Sequence, residues 1–243
     1  MSVPRGSITG MYAERAPAPD LAGHLRCSWT RLTGGSGSVL PDGCLDLMWI
    51  GGELVVAGPD TVATHAELAA GVEIAAVRFR PGVAPAVLGL PASELRDQRV
   101  PLTELWPDAP ALGHRVGAAA DRVAVLEDAV RRRLAYAPPV DQVAVAVGRR
   151  LASRTGGPGV VAELARRAGL SERQLHRRCV TAFGYGPKTL DRILRLQRFL
   201  ALGRAEPTAG LARLAADAGY TDQAHLGHDC RALADATPAE LIA

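Results

Sequence analysis

Residues 161–170 read VAELARRAGL, and residues 211–220 read LARLAADAGY. The two stretches repeat the same small and apolar residues in the same order, and the repeat continues beyond them. The aligned pairs are Ala162 with Ala212, Leu164 with Leu214, Ala165 with Ala215, Ala168 with Ala218, Gly169 with Gly219, Leu175 with Leu226, Cys179 with Cys230, Pro187 with Pro238 and Leu190 with Leu241. Such an internal repeat indicates that one structural unit occurs twice. Residues at matching positions of the two copies are therefore expected to have the same structural role.

Each copy has the pattern of two helices joined by a tight turn. Gly169 lies where the first helix must end, a position that favours a residue able to adopt a left-handed conformation. Ser171 can cap the second helix, and Gln174 completes a capping box. In the second copy, either Thr221 or Asp222 can take the capping position. A helix, a short turn containing glycine and another helix form the helix-turn-helix pattern.

The segment between the copies, KTLDRILRLQRFLALGR (188–204), has a broad apolar face and is predicted to be one helix. About 15 helical residues span ~22 Å at ~1.5 Å per residue. With the surrounding domain, this helix could place the second helices of the two copies about one DNA turn apart, ~34 Å.

Positive charge is concentrated in the first copy and the connecting segment. Residues 166–198 hold nine basic residues against Glu172 and Asp191, whereas the whole chain has a net charge of only +3. A local basic stretch is typical of a protein that binds a polyanion. The alternative is a solvated helical face with no partner.

Residues 159–243 resemble the double helix-turn-helix module of the AraC/XylS transcriptional regulators. The resemblance rests on VAELARRAGLSERQLHRRC, FGYGPKTLDRILRLQRFL and AADAGYTDQAHLGHDCRALADATPAEL. The chain departs from the family by having Cys179 and Cys230 where phenylalanine is usual, and by the looser ALADATP in the second copy. The resemblance implies a transcription regulator that binds double-stranded DNA, reading two adjacent major-groove segments, with RNA polymerase as a further partner.

The outward residues of the two second helices are the candidates for DNA contacts, because Leu175, Cys179, Leu226 and Cys230 face inward. The candidates for contacts to base edges are Arg173, His176, Arg177, Gln223, Ala224, His225 and His228. The candidates for phosphate contacts are Arg166, Arg178, Lys188, Arg192 and Arg195. The second of these helices carries much less positive charge, so we expect the first unit to supply most of the affinity.

The first part of the chain is predicted to be β-rich. LDLMWI (45–50) and ELVVAG (53–58) surround Gly51-Gly52 and predict a hairpin. Residues 72–80 alternate in polarity and predict a half-buried strand. Three helices are expected at 109–119, 121–135 and 141–154, the last two capped by Asp121 and Asp141, and GGPG (156–159) marks a break.

These patterns predict an α+β chain with three parts. Residues 1–106 form an antiparallel β-rich domain, for which a barrel-like closure is considered; residues 107–156 form a helical connector; residues 157–243 form the all-α domain with two helix-turn-helix units. The first domain is similar to a poorly characterised domain found ahead of such modules, on PDGCLDLMW (41–49), AGP (57–59) and VRFRPG (77–82). That similarity implies a sensory or oligomerisation role.

A small-molecule effector is a further expected partner, and the polar residues of the strand region are the candidates for its pocket. These candidates are Asp42, Asp46, Arg78 and Arg80. A buried aspartate–arginine pair with a structural role is the competing interpretation.

A metal site and an enzyme are two alternative interpretations, and the sequence lacks features that each of them requires. His225 and His228 are three residues apart beside Asp229 and Cys230, but helical zinc pairs more often have i, i+4 spacing. A methyl-accepting DNA-repair regulator would need four zinc-binding cysteines near its N-terminus, and the chain has two in that region. We expect no enzyme activity, no cofactor and no metal, and keep a ligand-sensing or interaction protein with little DNA binding as the alternative.

The four cysteines are widely separated, and no apolar run approaches the ~20 residues of a membrane span. The sequence therefore favours a cytoplasmic protein outside the membrane, of bacterial type. Monomer and homodimer both remain open.

Overall fold

The computed structural model describes residues 10–35, 37–153 and 159–242. The strands are β1 (Gly10–Arg15), β2 (Leu25–Thr33), β3 (Gly37–Val39), β4 (Asp46–Ile50), β5 (Glu53–Ala57), β6 (Thr64–Ala66), β7 (Glu73–Phe79) and β8 (Arg99–Pro101). The helices are α1 (Ala84–Leu88), α2 (Ala109–Ala118), α3 (Arg122–Leu134), α4 (Gln142–Ala152), α5 (Val160–Arg167), α6 (Glu172–Phe183), α7 (Pro187–Ala205), α8 (Leu211–Ala218), α9 (Gln223–Ala234) and α10 (Pro238–Ile242). The predicted order of an antiparallel β domain followed by helices is confirmed.

Six strands form one antiparallel sheet in the order β1-β2-β7-β4-β5-β8, and β3 pairs with β6 separately. The predicted hairpin is confirmed as β4–β5, with Ile50 opposite Glu53. Its turn residues Gly51 and Gly52 have φ of 56° and 110°, which glycine adopts without strain.

The prediction of a half-buried strand at 72–80 was wrong about the exposed face. Ile74 and Ala76 are 3% and 0% exposed, although they lie on the face opposite Ala75 and Val77. The reason is that β7 lies in the middle of the sheet, and Trp29 and the other residues of a small cluster cover its second face.

The barrel-like closure considered for this domain does not form among the described strands. β1 and β8 lie at opposite edges of an open sheet. One face of the sheet packs against α1, α2 and α3 in a core that includes Leu112 and Leu126 from the helices and Leu47 and Phe79 from the strands. Because helices already bury that face, closing the sheet is not needed to bury it.

The predicted helices between the domains are confirmed as α2, α3 and α4, and so are two of their caps. An oxygen of Asp121 accepts a hydrogen bond from the amide of Ala124 (3.0 Å), and Asp141 accepts from Val143 (3.0 Å). Residues 156–158 of the predicted GGPG break lie outside the described residues. Among the residues that the structure describes, no helix is long and apolar enough to cross a membrane.

The helices α4 to α10 share one hydrophobic core around Phe183 and Phe199. α4, which lies within the 107–156 segment, contributes Val147 and Leu151 to this core. The helix α7 connects the two units and contributes Phe199 to this core. Its 19 residues span ~28 Å at ~1.5 Å per residue.

The β domain packs directly on the helical domain through two of the stretches quoted above. The side-chain amide of Gln197 on α7 donates to the carbonyl of Pro41 (2.6 Å). A Cβ on Gly184 would lie 2.7 Å from Pro59, so glycine permits this close approach. The amide of Ala63 donates to the carbonyl of Leu233 on α9 (2.7 Å). The β domain therefore touches both halves of the helical repeat.

Candidate DNA-binding surface

The two copies of the repeat build the same turn. Gly169 and Gly219 have φ of 65° and 93°. One residue later, the amide of Leu170 donates to the carbonyl of Ala165, and the amide of Tyr220 donates to the carbonyl of Ala215, both at 2.9 Å. These six-to-one hydrogen bonds are the Schellman arrangement that ends a helix at glycine. α5–α6 and α8–α9 are therefore equivalent helix-turn-helix units.

Each second helix begins at a side-chain cap. Ser171 accepts from the amide of Gln174 (3.2 Å), and the Gln174 side chain accepts from the amide of Ser171 (2.9 Å), which confirms the capping box. In the second unit, Asp222 accepts from the amide of His225 (2.7 Å), so it is Asp222 that takes the capping position.

The repeat predicts that the same positions of α6 and α9 face the core, and the structure confirms it. Leu175, Cys179, Leu226 and Cys230 are all 0% exposed. With these positions fixed in the core, the opposite faces of α6 and α9 must point outward. These two helices are called the recognition helices below.

Most of the base-edge candidates lie on the outward faces. Arg173, His176 and Arg177 on α6 and Gln223, Ala224 and His228 on α9 are exposed. His225 differs, because it is half-buried. Its ring packs edge-on against Tyr220, with 5.2 Å between ring centroids, and its Nε2 lies 3.3 Å from Nη1 of Arg195 on α7. His225 thus links α9 to α7 and is not kept as a base-reading residue.

The phosphate candidates divide into two groups. Arg166 and Lys188 are exposed. The other three are held in ion pairs: Arg178 with Asp141 (2.8 Å), Arg192 with Asp229 (2.9 Å) and Arg195 with Asp191 (2.8 Å). Arg195 is only 8% exposed, so we no longer propose a phosphate contact for it. The i, i+4 spacing of Asp191 and Arg195 on a helix predicts their ion pair from sequence. The partners of Arg178 and Arg192 are 37 residues away, so no local spacing predicts those two ion pairs.

Three of the four residues proposed to line an effector pocket form an ion-pair network with one another. Arg78 pairs with Asp46 (2.8 Å) and with Asp42 (3.3 Å), and the indole of Trp29 donates to Asp46 (3.2 Å). Arg80 lies apart from this network and donates to the carbonyl of Ala22 (2.7 Å). The buried aspartate–arginine pair is therefore the arrangement observed, and these side chains already satisfy one another.

The described part of the chain contains no group of three or more His, Cys, Asp and Glu residues that could hold a metal ion. In the stretch with the most such residues, Asp229 is 1% exposed and already paired with Arg192. Burial raises the pKa of the Cys230 thiol to about 12. Its side chain lies in the core at 0% exposure, so its sulfur is not accessible to a metal ion from solvent.

The cysteines of the β domain are also poor nucleophiles. Burial raises the pKa of Cys27 to about 11 and raises that of Cys44 well above its usual range. All four cysteines, including Cys179 with a pKa raised to about 12, are free and buried. A methyl-accepting cysteine would need the thiolate, so this chemistry is not favoured here.

We therefore expect the native protein to react slowly with a thiol reagent such as DTNB at pH 8. A thiol of pKa about 12 is roughly 0.01% thiolate at that pH. The same protein in urea is the control and should release four equivalents rapidly. A rapid native phase of one equivalent would support the methyl-accepting alternative.

The fold and the surface together define a class: a DNA-binding domain with two helix-turn-helix units, attached to an antiparallel β domain. Residues 164–243 match the family described as "Helix-turn-helix domain". Residues 13–101 match "Domain of unknown function (DUF6597)". The C-terminal domain is accordingly an AraC-type helix-turn-helix domain, the DNA-binding domain of a class of transcription regulators, and the N-terminal domain is a DUF6597 domain.

Solved structures of similar fold include ToxT from Vibrio cholerae. One ToxT structure has a TM-score of 0.51 and 7% identity, and the match covers 97% of this chain and 98% of that chain. A second ToxT structure, from Vibrio cholerae O395, has a TM-score of 0.49 and 8% identity over 97% and 98% of the two chains. At 7% identity, the likeness to the first of these structures shows the fold alone. No curated protein matches this chain.

Proposed function

We propose that this protein is a sequence-specific transcription regulator whose recognition helices α6 and α9 enter two successive segments of the DNA major groove. The observation that carries the proposal is the residue-by-residue equivalence of the two units, from the turn hydrogen bonds to the four buried core positions. The division at residues 106 and 156 is part of the same proposal, with the β domain as sensory or oligomerisation domain.

The base-reading role is proposed for the exposed residues of both helices. Arg173 and Arg177 could each make two hydrogen bonds to a guanine, whereas Gln223 could pair with adenine and Ala224 could contact a thymine methyl group. His176 and His228 complete the two faces. Arg166 and Lys188 are proposed to contact phosphates, which position the protein without reading sequence.

The first unit is proposed to supply most of the affinity, because its outward face is the more basic. An Arg177→Ala variant should therefore weaken binding more than a His228→Ala variant, by about tenfold against less than about threefold. Fluorescence anisotropy on the cognate site, at one fixed salt concentration, would measure both. The reverse order would show that the second unit dominates.

The experiment that tests the proposal is selection of DNA from a random library with the full-length wild-type protein. We expect enrichment of a bipartite sequence with two short conserved blocks. A ligand-sensing or interaction protein with little DNA binding, the alternative function, would enrich no sequence. A small-molecule effector and RNA polymerase remain proposed partners, but Asp42, Asp46 and Arg78 are no longer proposed as the effector site.

A further inference from the structure

Both recognition helices carry an ion pair at the same position of the repeat. Arg178 directly precedes Cys179 in α6, and Asp229 directly precedes Cys230 in α9. Arg178 donates to Asp141 at the start of α4 (2.8 Å), and Asp229 accepts from Arg192 in the second turn of α7 (2.9 Å). Each pair joins residues 37 positions apart, but the charges are exchanged.

In each unit the partner lies on the helix that precedes the helix-turn-helix. α4 precedes α5–α6, and α7 precedes α8–α9. Asp141 is the cap of α4 and Arg192 lies within α7, so the two partners do not occupy the same position of their helices. What the two units share is an ion pair between the recognition helix and the helix that precedes the unit, whichever of the two helices carries the positive charge.

The second pair is the more buried one. The Asp229 side chain is 2% exposed and that of Arg192 is 37% exposed, against 31% and 45% for Asp141 and Arg178. A buried carboxylate without a partner is strongly unfavourable, so Arg192 is committed to Asp229 and not to DNA phosphate. Arg195 on α7 donates to Asp191 and also lies 3.3 Å from the Nε2 atom of His225 on α9. This is a second polar contact between α7 and α9.

From this geometry we infer that Arg192 and Asp229 are positioning residues that set the orientation of α9 for its DNA segment. The inference rests on the proposed function, because it concerns how the second recognition helix meets DNA. It also gives Asp229 a role on a helix that faces a polyanion: the carboxylate points inward and is neutralised by Arg192.

The test uses full-length Asp229→Asn and Arg192→Gln variants on the DNA that the wild-type protein selects. Hydroxyl-radical footprinting should show the first DNA segment protected and the second one lost, with total affinity about tenfold weaker. Arg192→Lys preserves a cation beside Asp229 and should keep both segments protected. Asp217→Asn is the matched control, because it removes an exposed acid of the same unit and should change neither segment.

The sign of the Asp229→Asn effect separates positioning from simple repulsion. If Asp229 only repelled DNA, its neutralisation would tighten binding and leave both segments protected; that result with a folded variant overturns the inference. Folding is checked by circular dichroism and thermal melting, and if neither Asp229→Asn nor Arg192→Gln folds, the pair is a folding element and the positioning role is overturned. A wild-type protein that selects no DNA would instead reject the proposed function itself.

Discussion

A variant with both Arg173→Ala and Arg177→Ala is expected to lose about 100-fold or more of its affinity for the selected DNA site. Both arginines are exposed on α6, and the core positions Leu175 and Cys179 fix the helix so that they point outward. A guanidinium that makes two hydrogen bonds to a guanine contributes about 1–3 kcal/mol of discrimination. Fluorescence anisotropy with specific and scrambled duplexes would measure the loss.

The control for this variant is Arg131→Ala with Arg132→Ala, which removes the same two charges from the exposed surface of α3. It should change affinity by less than about threefold, since general electrostatic attraction is shared by the whole surface. If the α6 variant lost equal affinity for specific and scrambled DNA, its arginines would contact phosphates only. If both double variants lost equal affinity, α6 would have no special role.

An Arg78→Ala variant is expected to lower the free energy of unfolding by about 3–5 kcal/mol. Asp46 is 8% exposed, and without Arg78 its carboxylate would keep only the indole hydrogen bond from Trp29. Urea unfolding followed by circular dichroism would measure the change. Arg15→Ala is the matched control, because the Arg15–Asp121 pair is about half exposed and should contribute less than about 1 kcal/mol.

A second variant distinguishes loss of the ion pair from loss of packing around Arg78. Combining Arg78→Met with Asp46→Asn removes both charges and should be more stable than Arg78→Ala alone, because no buried carboxylate is left unpaired. An Arg78→Ala protein as stable as the wild type would contradict the structural role. It would return these residues to consideration as an effector pocket.

Local sequence signals predicted much of the fold. The caps at Asp121, Asp141 and Ser171 follow from side chains that satisfy free backbone amides at helix starts. The turn at Gly169 follows from the low strain of glycine in the left-handed region. The repeat then fixed which residues of α6 and α9 face the core. Each of these features depends on neighbours within a few residues, which the sequence displays directly.

The features that sequence reasoning missed depend on contacts between distant segments. An unpaired arginine and an ion-paired one look alike in sequence, so the sequence predicts phosphate contacts for Arg178 and Arg192, and it does not show that each has an aspartate partner 37 residues away. The burial of Ile74 and Ala76 depends on the place of β7 in the middle of the sheet. The alternation of polarity along a strand gives no information about which strands become its neighbours.

The contact between the β domain and the helical domain is another feature that depends on segments distant in sequence. Pro41 and Pro59 lie in the stretches by which the N-terminal domain resembles a poorly characterised family, and both contact the helical domain. The stretch that holds Pro41 also holds Asp42 and Asp46, which the sequence suggests as residues of an effector pocket. The structure shows that part of the same region supports the two helix-turn-helix units.

The most direct test of the claim that α6 and α9 read adjacent segments is missing-base interference on the DNA that the full-length wild-type protein selects. Removal of a base deletes every contact to that base, whichever of the four it is, so we expect two groups of sensitive positions, about one helical turn or 10 base pairs apart. Arg177→Ala should lower the sensitivity within one group and leave the other group unchanged. A single group of sensitive positions, or sensitivity that is uniform along the duplex, would contradict the claim that α6 and α9 read adjacent segments.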